Sequence, residues 1–258
     1  MGCYQIKIGI VIPARLESER LPRKVLKIFF GISMIEHVWR RAQLTNPIIE
    51  TLIATDSEEI KKTCQNFGAK VIMTSSRHVN GLSRVGEVAK VLNWDFYVIL
   101  QADEILVEPK NLENLIKTVE STKKHQFINL ITKINNFNEV NDVNVVKCSV
   151  RRDKSIISIF RKSSSVATEQ KQLDFTKKIC GIFAISKEAL EIAVKAPPQK
   201  IEVSESIEQM KMIELGIEIL GVEIDKNYPA VNTEIEALEV TKILKTDKKQ
   251  KAILKRIQ

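Results

Sequence analysis

Aromatic side chains are scarce in this chain: nine Phe, three Tyr and two Trp among 258 residues. Single-stranded nucleic acid is gripped by aromatic platforms set among basic residues. The lysine-rich end, KTDKKQKAILKRIQ at residues 245–258, contains no aromatic at all. A solvated face on a terminal helix is therefore favoured there over a patch for nucleic acid or an anionic membrane. Glycine is thin too, at nine residues, and none falls in GxxxxGK[ST] or GxGxxG. That excludes a P-loop and a dinucleotide fingerprint. The four cysteines, Cys3, Cys64, Cys148 and Cys180, form no CxxC pair, and the chain has only three histidines. Neither a zinc site nor a disulfide framework is expected, and the thiols read as reduced. No apolar run is long enough to span a bilayer. The first residues carry no basic region followed by a signal core, so the expected setting is the cytoplasm.

What the chain does have is aliphatic residues in short blocks and an excess of positive charge, +8 from 40 basic and 32 acidic residues. IGIVI at residues 8–12 reads as a buried strand ending at Pro13. Residues 33–43 place Met34, Ile35, Val38 and Trp39 at helical spacing behind a candidate N-cap, Ser33. ETLIATD then predicts a strand, SEEIKKTCQNFG a helix closed by Gly68, AKVIMTS a strand, SRVGEVAKVL a helix and DFYVILQAD a strand. Repeated βα units imply an α/β fold with a mostly parallel sheet flanked by helices. From about Leu112 the pattern turns mixed. FINLITKI, NVVKCSVRR, SIISIFRK and KKICGIFAIS predict strands without helical crossovers, hence an antiparallel subregion. Residues 162–174 are polar and aperiodic, which predicts a loop. The simplest organisation is a single domain over residues 1–245, with an inserted lobe at about 125–195 and a basic tail at 246–258.

In parallel α/β sheets ligands bind beyond the carboxyl ends of the strands. Two charged segments fall there. The first is the loop PARLESERLPRK after Ile12, with Arg15, Arg20, Arg23 and Lys24. Turn N–H groups and basic side chains together make an anion cradle, and the alternative is a solvated surface loop. The second is Asp103-Glu104, where a carboxylate can bridge Mg²⁺ to phosphate oxygens or cap the helix after Pro109. His78 reads as a hydrogen-bonding loop residue, and no Ser/His/Asp or Cys/His arrangement supports covalent catalysis.

In order along the chain stand IPARLESERLPRK, ATD at 54–56, MTSSRHVNGLSR, LQADE, CGIFAI, ESIEQ and VNTEIEALE. This ordered set, from Ile8 to about Val240, resembles the 3-deoxy-manno-octulosonate cytidylyltransferases. The resemblance implies a nucleotidyltransferase-like fold with a small antiparallel dimerisation lobe. It also implies Mg²⁺ as cofactor, CTP and an acidic sugar as substrates, and a homodimer, with no nucleic-acid or membrane partner. Arg15, Lys24 and Asp103 would be catalytic. Pro13, Ala14, Arg15, Ser18, Arg20, Lys24, Ser75 and Arg84 would bind the nucleotide. Gln101, Arg161, Glu208 and Gln209 would face the sugar, and Asp103 with Asn232 would hold the metal.

Departures from the family pattern cluster on the sugar and metal side. LPGK is here LPRK, with Arg23 in the glycine position. QGDEPL has become QADEIL, with Ala102 and Ile105. A threonine is Leu82, a sugar-side histidine is Ile179, and its tyrosine neighbour is Phe183. The second metal-binding aspartate is Asn232, with Glu234 nearby as a carboxylate that could compensate. The leading expectation is a cytidylyltransferase for 3-deoxy-manno-octulosonate (KDO) or a related acidic sugar. The alternatives are a catalytically weak nucleotide-binding homologue and an enzyme for nine-carbon, sialic-acid-like acids.

Overall fold

The computed structural model describes residues 6–18, 20–45, 49–122, 124–134 and 136–258. Cys3 lies outside them. The chain divides into two compact units, Met1–Glu113 with Tyr228–Gln258, and Asn114–Asn227.

The first unit begins with β1, Ile8–Ala14, which is buried along its whole length. A single 3₁₀ turn, Lys24–Leu26, and a two-residue hairpin, β2 (Ile28–Phe29) and β3 (Ile32–Ser33), lead into α1, Met34–Gln43. Alternation follows: β4 Glu50–Thr55, α2 Glu58–Asn66, β5 Lys70–Met73, α3 Gly81–Val91 and β6 Phe96–Leu100. Polar caps, the predicted Ser33 among them, explain why these helices start where they do. Ser33 Oγ accepts from the Glu36 N–H, Ser57 Oγ from Ile60, and Asn80 Oδ1 from Ser83; each satisfies a donor the first helical turn leaves unpaired. Gly68 stands at φ 84, past the end of α2, where a side chain would be strained.

Strands of this unit lie in the order β6-β1-β4-β5, all parallel. β1 runs two residues further than its apolar block predicts. Pro13 pairs with Ala54 and Ala14 with Thr55 of β4, whereas β6 pairs only as far as Val11. Pro13 has no N–H to give, and it sits where one neighbouring strand has already left, the position a sheet tolerates for proline. Gly9 is fixed by packing: a Cβ there would lie about 2.1 Å from the Trp94 ring.

After β6 comes α4, Pro109–Ser121. The second unit contains β7 Phe127–Lys133, α5 Phe137–Asn141, β8 Lys147–Val150, β9 Ile156–Phe160, α6 Glu169–Phe175, β10 Thr176–Ser186, α7 Lys187–Lys195, α8 Lys200–Glu205, α9 Glu208–Glu214 and β11 Ile219–Ile224. Here β11 is parallel to β7, but β10 pairs antiparallel with β7 and with β8, and β8 antiparallel with β9. The antiparallel subregion read from the sequence is present. Phe127 and Phe183 stack at 4.9 Å in its core. The polar stretch 162–174 differs from expectation, because its second half is α6. That helix shows no apolar stripe to betray it; its buried Gln172 side chain instead donates to the Ala167 carbonyl at 2.7 Å.

The chain then returns to the first unit with α10, Glu234–Thr246, and α11, Lys248–Ile257. α11 is the lysine-rich end. Gln250, Ile253, Leu254 and Ile257 are buried, while Lys248, Lys249, Lys251, Lys255 and Arg256 are exposed. Gln250 Oε1 accepts from the fully buried Arg41 at 2.8 Å, and its amide donates to the Leu106 carbonyl at 2.9 Å. Arg41 also reaches the Val107 carbonyl at 3.1 Å, so α1, α11 and the segment after β6 share one buried polar joint. Cys64 and Cys148 are buried, which pushes both thiols up to about 12. They are inert at neutral pH.

Candidate nucleotide site

The carboxyl ends of β1 and β6 release two segments that meet again at one point. From β1 the loop runs through Arg15, Leu16, Glu17 and Ser18, and is pinched shut where the Arg23 N–H donates to the Leu16 carbonyl at 3.2 Å. It lines a cleft of about 420 Å³ with Arg15, Leu16, Glu17, Ser18, Pro22 and Arg23, a volume suited to a small ligand. Arg15 and Arg20 are exposed.

From β6 the chain passes Gln101 to Asp103. The Asp103 carbonyl accepts the Val231 N–H at 3.1 Å, which brings in the segment before α10. Asn232 is held by its own N–H to Glu236 Oε2 at 2.7 Å, while Thr233 caps the helix. Lys24 points into this corner. Its Nζ donates to Asp103 Oδ2 at 2.8 Å, to Asn232 Oδ1 at 2.9 Å and to the Val231 carbonyl at 3.3 Å. Phosphate-loop lysine and both expected metal ligands thus converge on a single point.

Three oxygens around one ammonium are also the donor set that a hard divalent cation takes. Among the described residues no three acidic, histidine or cysteine side chains cluster as a metal site. The fit is therefore to a cation that brings much of its own coordination, as Mg²⁺ does with phosphate oxygens and water. Asp103 would supply the charge and Asn232 a neutral oxygen.

The remaining residues expected on the nucleotide side brace strand ends of the first unit against α3. Arg84 is buried on α3, its guanidinium donating to Thr74 Oγ1 at 2.6 Å and lying 3.2 Å from Asp56 Oδ1. It ties the ends of β4 and β5 to α3. The Ser75 N–H donates to Glu87 Oε2 at 2.9 Å, and His78 shares that carboxylate. Those two bonds hold the Glu87 carboxyl below its ordinary range, the His78 bond first. Gly81 opens α3 against Pro13 and Gln101; a Cβ there would stand 3.2 Å from the proline ring and 3.3 Å from the Gln101 amide.

Expected sugar-side residues Arg161, Glu208 and Gln209 belong to the second unit. Arg161 gives Nε to the Glu205 carbonyl, Nη2 to that of Ser206 and Nη1 to that of Val143, at 2.6, 3.0 and 2.8 Å. It ties β9 to the end of α8. Gln209 is buried and donates to Asn129 Oδ1 at 3.1 Å, and Asn129 in turn donates to the Cys180 carbonyl at 3.0 Å, within the irregular stretch of β10 between Ile179 and Phe183. Glu208 opens α9. Ile179 and Phe183, where the family pattern has polar groups, are both buried.

Sequence reasoning missed the Val231 carbonyl, the Glu87 acceptor and the Glu59 partner of Arg23. The first is a backbone atom and leaves no side-chain signature. Glu87 follows His78 by nine residues, too far for any helical spacing rule to pair them.

Residues 9–219 match the model of the cytidylyltransferase family. Over 243 residues the chain is 32% identical to the 3-deoxy-manno-octulosonate cytidylyltransferase of Elusimicrobium minutum, covering 92% of this chain and 98% of that protein. The chain belongs to the 3-deoxy-manno-octulosonate cytidylyltransferase family. Its Escherichia coli relative of that name is 31% identical over 227 residues, covering 88% of this chain and 92% of the relative. Among solved structures, a CMP:2-keto-3-deoxy-manno-octonic acid synthetase complexed with CTP superposes with a TM-score of 0.88 at 30% identity, covering 93% of this chain and 99% of that one. A cytidylyltransferase from Leptospira borgpetersenii shares the fold, with a TM-score of 0.66 at 16% identity, covering 98% of this chain and 93% of its own. In this family member the end of the loop after β1 and Asp103 lie together, with Lys24 on the Asp103 carboxylate.

Proposed function

We propose that this protein couples CTP to KDO, or to a closely related acidic sugar, to give the CMP-sugar and pyrophosphate. One observation carries the site assignment: Lys24, Asp103 and Asn232 meet at a single point beside the Arg15–Arg23 loop. Arg15, Ser18, Arg20 and Lys24 would hold the phosphates, with Pro13 and Ala14 forming the loop's base and Ser75 and Arg84 bracing the nucleotide side. Asp103 and Asn232 would hold Mg²⁺, which supplies neutralisation of charge on the attacked phosphate. The sugar hydroxyl oxygen bonds to the α-phosphorus in line, the bond to the β-phosphate oxygen breaks, its electron pair leaves on pyrophosphate, and the hydroxyl proton passes to water. Such transfers depend on positioning and charge neutralisation rather than covalent chemistry by the protein. Lys24 supplies a mobile point charge to the leaving phosphates once it leaves Asp103. Gln101, which lies beside Gly81, would orient what the loop binds. Gln209 and Glu208 are proposed as sugar contacts, and Arg161 as the residue that shapes their surroundings.

No helix among the described residues is long and apolar enough to cross a membrane. By family resemblance we extend the proposal to a cytoplasmic homodimer acting in lipopolysaccharide biosynthesis; sedimentation would test the dimer.

The deciding experiment is steady-state pyrophosphate release with CTP, ATP, GTP and UTP against a panel of sugar acids. Release that needs both CTP and KDO is expected. Release with a nine-carbon acid alone would reassign the sugar. A second reading, a catalytically weak nucleotide-binding homologue, is motivated by Asn232 and by the neutral oxygen it gives the cation. Activity in Asn232→Asp that the parent lacks would favour it.

A further inference from the structure

The reaction as described gives no task to Arg23. Its backbone lies in the left-handed region, φ 57 and ψ 24, where glycine is at ease and an arginine is strained. The turn itself needs only the Arg23 N–H, which closes the loop onto Leu16, and glycine would supply that bond as well. A strained residue retained in a ligand cleft points to a use for its side chain.

The side chain lines the cleft with Arg15 and Ser18 and is 57% exposed. Its ion-pair partner is Glu59, in the first turn of α2, reached through Nη2. Among the described residues Nε and Nη1 make no hydrogen bond. An ion pair between two exposed side chains contributes little and is readily exchanged. Phosphate oxygens, by contrast, take the fork bidentately.

We propose that Arg23 is a further ligand for the nucleotide's phosphates, passing from Glu59 to the departing pyrophosphate. It adds positive charge on the leaving-group side of a site whose cation is held by one carboxylate and the neutral Asn232. This assignment rests on the cytidylyltransferase reading.

The test is calorimetric titration with inorganic pyrophosphate and with CTP, in chelator and across a Mg²⁺ series. Wild type, Arg23→Gly, Glu59→Gln and the double variant are compared. Arg23→Gly is expected to weaken metal-free pyrophosphate binding about tenfold, the scale of one charge-assisted pair. Its Tm should hold or rise, because glycine relaxes the backbone. More Mg²⁺ should then be needed for half-maximal CTP binding. Glu59→Gln should tighten pyrophosphate binding, and the gain should vanish in the double variant. Unchanged affinity in Arg23→Gly, with wild type binding both ligands, overturns this assignment alone. Weakened binding accompanied by a lower Tm also overturns it, assigning Arg23 to loop structure. Wild type that binds neither CTP nor pyrophosphate overturns the parent reading and this one together.

Discussion

Lys24→Met removes the ammonium on which Asp103, Asn232 and the Val231 carbonyl converge, at similar side-chain length. The cost follows from burial. The Lys24 and Asp103 side chains are 16% and 22% exposed, between a surface pair worth at most about 1 kcal/mol and a buried one whose breaking costs about 3–5 kcal/mol. Hydrogen bonds to charged groups contribute about 1.5–3 kcal/mol, so a loss of about 2 kcal/mol is expected. For a chain of this size that lowers Tm by about 4–8 °C. The variant also leaves a carboxylate and two neutral oxygens facing one another with no cation. Mg²⁺ at about five times its Kd should then restore about 1 kcal/mol by linkage, while nucleotide-free wild type, whose lysine already fills the corner, should gain little. Differential scanning calorimetry with and without Mg²⁺ measures both arms. Equal stability of variant and wild type, or an equal response to the cation, would refute the assignment of Lys24 to the cation's place.

Three further outcomes are expected. Burial holds the His37 imidazole down at about 4, so it stays neutral when folded and binds a proton on unfolding below its ordinary 6.5. Wild-type stability should therefore fall as pH drops from 6.5 towards 4, by about 3 kcal/mol relative to His37→Gln; urea titrations of both proteins across that range check it. Gln250→Ala removes the acceptor from the buried Arg41 and the donor to the Leu106 carbonyl, and should cost about 2–4 kcal/mol in the same assay. Gly81→Ala pushes a methyl against Pro13 and Gln101 by a few tenths of an ångström; kcat/KM for CTP should drop about tenfold by misplacement, with stability within about 1 kcal/mol of wild type.

The sheet of the first unit was legible because each strand is a short β-branched block and each helix begins at a polar cap. Ser33 and Gly68 mark their helix ends by rules that depend only on local backbone geometry. Pro13 obscured the end of β1, since proline ends most strands and is admitted here only because β6 stops pairing first. α6 was illegible for the opposite reason: the side chain it buries is the polar Gln172, which donates to the Ala167 carbonyl and which apolar periodicity cannot see. At the site, the charges of Arg15, Lys24 and Asp103 and their strand-end positions could be read. The meeting of Lys24 with Asp103 and Asn232 could not, because it rests on a side-chain ion pair and on a backbone bond between Asp103 and Val231, all between residues far apart in sequence. Arg23 could be read as one of the loop's cations standing where the family pattern has glycine, but its left-handed backbone and Glu59 partner are tertiary facts.

The proposed reaction is transfer of cytidylyl from CTP to KDO. Phosphorus NMR of CTP, KDO and Mg²⁺ with the purified protein tests it most directly. One phosphodiester resonance for the CMP-sugar and one for pyrophosphate should grow in equal amounts as the triphosphate signals disappear. A triphosphate spectrum unchanged at stoichiometric protein concentration would contradict it.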